Sequence, residues 1–198
     1  MNDPNISFKD VGFELAFRNL ISKATGIITK EDLKAVNGIM ISNIDANGFS
    51  IPWISDGTAF NMTFPNLMFN VNNSDNGEWI SDIVLFNEIK SFHIGIAISD
   101  LMFLETFTHL KELYLHEYDN DDLSFLNNLI SLSSMCIYKG QLKDLTPFAT
   151  LYKKQLELFK KSKIDKDRFY IFNGLENLYL HECGITDIKI GRASCRER

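Results

Sequence analysis

His116 and His181 share one local sequence, Leu-Tyr-Leu-His-Glu. An imidazole beside a carboxylate is raw material for a zinc site or for general acid–base work. Spacing argues against a shared metal, because three strand steps of ~4.8 Å would hold the two rings about 14 Å apart. His93, Glu112 and His116 fall closer together, yet no further ligand completes a set. Cys136 would need a neighbouring base to act as a nucleophile, and no Cys-His-Asn or Ser-His-Asp grouping can be assigned. Glu117, Asp119, Asp121 and Asp122 read as a solvated acidic loop. The Asn72 to Glu78 stretch fails as a calcium loop, since Ile83 takes the bidentate carboxylate's place. Phosphate-cradling glycine loops are absent. The chain is therefore expected to be no enzyme, with no catalytic residue, no bound metal and no cofactor.

The elements that carry these residues repeat. Asp100, Asp122, Asp144, Asp165 and Asp187 recur every 21 or 22 residues, in step with the form apolar-x-x-apolar-x-x-apolar-x-apolar. Phe86, Ile89, Phe92 and Ile94 give one copy. Phe107, Leu110, Leu113 and Leu115 give the next, followed by Leu129, Leu132, Met135 and Ile137, and by Phe172, Leu175, Leu178 and Leu180. Lys153, Leu156 and Leu158 read as a disguised copy between the last two. A fixed period of this length means stacked units, each burying its apolar edge against the next. The apolar-x-apolar core of each unit is expected to be a short strand. Each Asp should bond nearby backbone N–H groups while the apolar residue after it plugs the core.

Upstream, Phe13, Phe17, Leu20, Ile21 and Ala24 share one face of a helix expected over Asp10–Ala24, with Gly26 as its stop. Thr29 caps a second short helix in a capping box with Asp32, and Leu33, Val36, Ile39 and Ile41 begin the repeats. Between Ser42 and Trp79 the period loosens, and a second strand uses either Phe64, Leu67 and Phe69 or Phe69 and Val71.

Leu110-x-x-Leu-x-Leu115 and Leu175-x-x-Leu-x-Leu180-x-x-Cys-Gly-Ile-Thr-Asp-Ile188 resemble the leucine-rich repeats of internalin-like bacterial proteins, and Ile28-Thr-Lys-Glu-Asp-Leu33 resembles that family's N-terminal cap. The resemblance implies an α/β leucine-rich-repeat solenoid with short parallel strands and a helical N-terminal cap. Residues 1–36 would form the cap and 37–189 the repeats, irregular over 42–85 and regular over 86–189. The family's asparagine-ladder position holds Ala97, Tyr118, Gly140, Lys161 and Cys183 here, so ladder hydrogen bonding should be partial. Residues 190–198 resemble translated sequencing-adapter DNA. They are expected to be a non-native tail on a truncated repeat array.

Function should then lie on side chains turned outward from the strands. One column reads Met40, His93, Tyr114, Cys136, Glu157 and Tyr179, the next Ser42, Gly95, His116, Tyr138, Phe159 and His181, and a third Gly38, Ser91, Glu112, Ser134, Gln155 and Asn177. Aromatic and histidine enrichment with few charges is what interface cores show. His93, Glu112, Tyr114, His116, Tyr138, Glu157, Phe159, Tyr179 and His181 are therefore the candidate binding residues. Six strands and three columns make a face of roughly 400–450 Å², about half of what one side of a standard interface needs.

The formal charge is −6. The 190–198 tail carries three Arg and one Glu, and without it the charge is −8. Nucleic acid is accordingly not an expected partner. Lys153, Lys154, Lys160, Lys161, Lys163, Lys166 and Arg168 read as a solvated basic surface. Cys136 and Cys183 have no metal-like spacing and suit a reducing compartment. Neither a secretory signal nor a membrane-length apolar run is visible, so a cytoplasmic location and no membrane partner are expected. The composite expectation is a module that recognises an unknown protein partner. The rival expectations are the sensing or targeting domain of a longer enzyme or effector, and an internalin-like surface adhesin.

Overall fold

The computed structural model describes residues 5–43, 66–74, 77–98, 100–118, 122–161, 174–181 and 183–184. Residues 190–198, the Asp165 and Asp187 positions, Phe64, Phe172 and Ile185 lie outside the described residues. The chain divides into two compact units, Met1–Ile96 and Ala97–Arg198. Among the described residues each contains three short parallel strands.

In the first unit the leading helix α1 (Val11–Leu20) starts at Asp10, whose carboxylate accepts from the Phe13 N–H at 2.9 Å. It ends a turn earlier than its apolar spacing predicts. Ser22 takes φ 54°, and Arg18 donates to the carbonyls of Lys23 and Gly26 at 3.2 and 3.0 Å. The guanidinium thus satisfies carbonyls that a longer helix would have bonded itself. Helix α2 (Lys30–Leu33) carries the expected capping box between Thr29 and Asp32. Lys23 and the Thr29 groups bonded to Asp32 hold its carboxyl at about 2, below the usual range. Strand β1 (Gly38–Ser42) follows, then β2 (Leu67–Asn70), helix α3 (Trp79–Ile83) and β3 (Ser91–Gly95).

Strand order in this unit is β2-β1-β3. The loosened stretch after Ser42 therefore does not insert a copy between β1 and β3, because its strand pairs on the opposite side of β1. Of the two registers open from sequence, the structure takes Leu67 and Phe69, each 1% exposed, while Val71 begins a 3-10 turn. Asn66 sets that pairing. Its amide oxygen accepts from the N–H groups of Asn37 and Gly38 at 3.0 and 3.4 Å, and its amide nitrogen donates to the Ala35 carbonyl at 2.6 Å.

Aromatic rings fasten α1 onto this sheet. Phe13 meets Phe69 edge-on at 5.0 Å, Phe17 meets Phe86 at 5.2 Å, and Phe8 lies within 6.0 Å of Phe13, Phe17 and Phe86. Polar groups at the helix start are fully engaged. Asp82, 1% exposed, accepts from the Lys9 and Asp10 N–H groups at 2.9 and 2.7 Å, and the Asp10 carboxylate also accepts from the Ser74 hydroxyl. Burial pushes the Asp82 carboxyl up, against the two backbone donors that pull it down.

The second unit contains β4 (Glu112–His116), β5 (Ser134–Tyr138) and β6 (Asn177–His181), paired in that order. Leu113, Met135 and Leu178 share one register line, and Leu115, Ile137 and Leu180 the next. The inward positions are Phe107, Leu110, Leu113 and Leu115 in one copy and Leu129, Leu132, Met135 and Ile137 in the next. All are at most 1% exposed. Asp100, Asp122 and Asp144 each accept from the N–H two residues on, that of Met102, Ser124 and Thr146, at 2.8–2.9 Å. Leu101 and Leu123, the apolar residues after the first two, are 4% and 1% exposed. The first two acids start 3-10 turns, Met102–Thr106 and Ser124–Asn128.

The third acid starts something different. Thr146–Lys161 is one continuous helix, α4, and the disguised strand expected at Lys153, Leu156 and Leu158 does not form. Phe148, Leu151 and Gln155 face inward at helical spacing. The Lys, Leu, Glu and Gln that follow Pro147 are strong helix formers, and proline is at home in a first helical turn. With that copy spent on a helix, β6 pairs directly with β5. Parallel three-stranded ladders whose apolar residues stack in register, with turns or helices returning between them, constitute a leucine-rich-repeat α/β fold.

Candidate functional site

Burial redraws the outward columns. Met40, His93, Tyr114 and Cys136 are 3%, 6%, 1% and 8% exposed, so the middle column is not a free face on β1, β3, β4 or β5. Strands that read buried at three successive positions are covered on both faces, as parallel strands commonly are. Of the strand residues in that column, Tyr179 on β6 is the one left open, at 45%. The expected binding residues His93 and Tyr114 are core side chains. The Ser91 hydroxyl lies 3.1 Å from His93 Nε2, and burial holds the imidazole down at about 4. Burial likewise pushes the Tyr114 phenol upward and the Cys136 thiol up to about 12. A thiol at that value is protonated at neutral pH and is no nucleophile.

Glu157 and Phe159 leave the strand columns altogether, because both lie on α4. Glu157 is exposed and Phe159 half-buried. Gln155, expected in the third column, is 4% exposed and bonded throughout. Its amide nitrogen donates to the Ile130 and Leu132 carbonyls at 3.1 and 2.8 Å, and its oxygen accepts from the Leu175 N–H at 2.9 Å.

The second unit keeps a coherent group at the C-terminal ends of its strands. His116, Tyr138 and His181 share one register line, and Glu112, Ser134 and Asn177 another. The His116 and Tyr138 rings stack with centroids 5.2 Å apart. Lys139 Nζ lies 5.5 Å from the Tyr138 centroid, within reach of a cation–π contact. The Glu117 carboxylate sits between them, 3.9 Å from His116 Nδ1 and 3.8 Å from Lys139 Nζ. Glu117 and Lys139 follow their strands directly and take φ of 55° and 56°. The chain therefore turns alike after β4 and β5, which sets the two charged side chains side by side.

Burial lowers the His116 pKa, opposed by Glu117 and reinforced by Lys139, so the imidazole is mostly neutral at pH 7. With β6 directly beside β5, the backbones of His116 and His181 are two strand steps apart, about 10 Å and not 14 Å. Among the described residues no three His, Cys, Asp or Glu side chains converge as a metal-binding group, and no helix is long and apolar enough to cross a membrane.

The ladder position is filled by unlike groups that nonetheless interlock. The Tyr118 carbonyl accepts from Gln141 N–H at 3.1 Å, the Cys183 carbonyl from Leu142 N–H at 3.2 Å, and the Cys183 thiol donates to the Ile137 carbonyl at 3.3 Å. Gly140 lies between them. A Cβ there would meet Ile137 Cγ2 at 2.9 Å and Cys183 Sγ at 3.4 Å. Glu117 and Lys139 were not among the binding residues expected from sequence; the signal available was their common place one residue beyond an apolar-x-apolar-x core.

No family model and no curated protein matches this sequence. Among solved structures, the chain is similar to the crystal structure of an internalin C2 from Listeria monocytogenes, at 19% identity over 96% of this chain and 83% of that one, with a TM-score of 0.43.

Proposed function

We propose that this chain is a protein-binding module whose contact surface is centred on the strand ends of its second unit. Glu112, His116, Tyr138, Tyr179 and His181 are its core, with Glu117 and Lys139 alongside. The observation that carries this reading is the stacked His116–Tyr138 pair with its flanking ions, on the register line of His181, with the 45%-exposed Tyr179 two residues earlier on β6. Aromatic side chains already held in place lose little entropy on binding, and Tyr is enriched among residues that dominate interface energetics. Three strands and three columns cover only roughly 200 Å², well short of the ~800 Å² per side of a standard interface. This group is accordingly the anchor of a larger contact. Glu157 and Phe159 on α4 are proposed as a separate part of the recognition surface.

The test is affinity capture followed by titration of the purified partner. Tyr138→Ala with Tyr179→Ala should weaken the complex at least about tenfold, with circular dichroism unchanged. Equal affinity would remove the strand ends from consideration.

A further inference from the structure

The first unit contains a groove of about 650 Å³ between α2 and the 84–90 segment, lined by residues of that unit alone. Its origin is geometric. β1 and β3 are adjacent strands, but the chain reaches them through returns of different bulk, a single helical turn before β1 and α3 with a 3-10 turn before β3. Strands are held in register while their returns are not matched, so a gap opens between them. The volume falls within the range of ligand sites.

The walls are aliphatic and only half covered at Leu33, Val84 and Leu85. Three lysines line the groove against one acid, Glu88, in a chain of net charge −6. Lys34 is engaged by Glu31 at 2.7 Å. Lys30 and Lys90 are exposed, and among the described residues neither has a carboxylate within ion-pair distance. Lys30 opens α2 and Lys90 leads into β3, so the two cations come from the two segments that line the groove.

We propose that this groove docks a peptide segment of a partner protein in which aliphatic side chains alternate with carboxylates. Aliphatic groups would occupy the half-covered walls while carboxylates meet Lys30 and Lys90. Cations supplied by both of the segments lining an open groove suit several spaced carboxylates, whereas a fatty acid offers one charge at one end.

The test is fluorescence anisotropy with the full chain and labelled hexapeptides. An alternating leucine–glutamate peptide should bind. Alternating leucine–lysine and serine–glutamate peptides should not. Lys30→Glu with Lys90→Glu, both at exposed positions, should weaken binding at least about tenfold with circular dichroism unchanged. Four results would overturn the proposal: no binding of the leucine–glutamate peptide at about 1 mM, equal binding by the double variant, equal binding of the serine–glutamate peptide, or binding of dodecanoate where the peptide fails.

Discussion

The His116 imidazole lies on the Tyr138 ring with planes 15° from parallel and centroids 5.2 Å apart, and the two residues are register partners on β4 and β5. The neighbours of that pair set its protonation. Burial lowers the His116 pKa first, Glu117 raises it and Lys139 lowers it. Followed by NMR, His116 should titrate below the ordinary value of about 6.5. Glu117→Gln should lower it further and Lys139→Met should raise it. Opposite movements would mean that the carboxylate and ammonium do not flank the ring in solution.

His93 gives the first unit a second pH dependence. Its pKa is about 4 when folded and about 6.5 when unfolded, so the unfolded chain takes up the proton first as pH falls. The stability from keeping this imidazole neutral is present above pH 6.5 and is lost progressively as pH drops towards 4. Between pH 7 and 4.5 the loss should be about 2 kcal/mol. Asp82 has the opposite sign, because its raised carboxyl pKa favours the folded state at low pH. Urea unfolding of wild type and His93→Gln at both pH values separates the two, and a variant with an undiminished acid loss would exonerate His93.

Gly12 sits in the first turn of α1 against the backbone of Asn73. A Cβ there would lie 1.8 Å from the Asn73 carbonyl oxygen and 2.7 Å from its carbon. Alanine favours an isolated helix over glycine by ~1 kcal/mol, yet overpacking against backbone costs ~1–3 kcal/mol. Gly12→Ala should therefore destabilise the chain despite the better propensity. A raised thermal midpoint would show that α1 and the 3-10 turn at Val71–Asn73 can separate without cost.

Inward positions were legible because a repeat states them several times over. Leu113, Met135 and their counterparts obey one spacing, and the bonding of Asp100, Asp122 and Asp144 follows from an acid placed before an apolar plug. The middle column was ambiguous for a physical reason. Met40, His93, Tyr114 and Cys136 are uncharged or weakly polar, and that composition suits an exposed interface and a doubly covered strand equally well. Position of β2 was hidden as well, since a sequence gives copies in order while a long link lets a strand pair on either side of its predecessor. The helix at Thr146–Lys161 was masked by Leu156 and Leu158, which fit the 21-residue step. Lys153 at an apolar position and Pro147 just past Asp144 were the discordant residues that marked it.

Gln155 tests the replacement of a strand by α4. A repeat strand would have donated and accepted along the ladder. In its place one side-chain amide bridges the carbonyls of Ile130 and Leu132 ahead of β5 to the N–H of Leu175 ahead of β6. Removing the amide leaves three backbone groups without that partner, and unsatisfied buried groups cost more than the bonds gain. Gln155→Ala should lower unfolding stability by about 2–3 kcal/mol. Gln155→Glu should also destabilise, because a carboxylate can accept from Leu175 but cannot donate to the two carbonyls. Lys154→Ala is the control on the same turn: its ammonium bonds the exposed Asn127 carbonyl at 2.6 Å, and its loss should change stability by less than about 0.5 kcal/mol. Similar small effects for Gln155 and Lys154 variants would mean that α4 is not held by this bridge and that β6 pairs with β5 on strand hydrogen bonds alone.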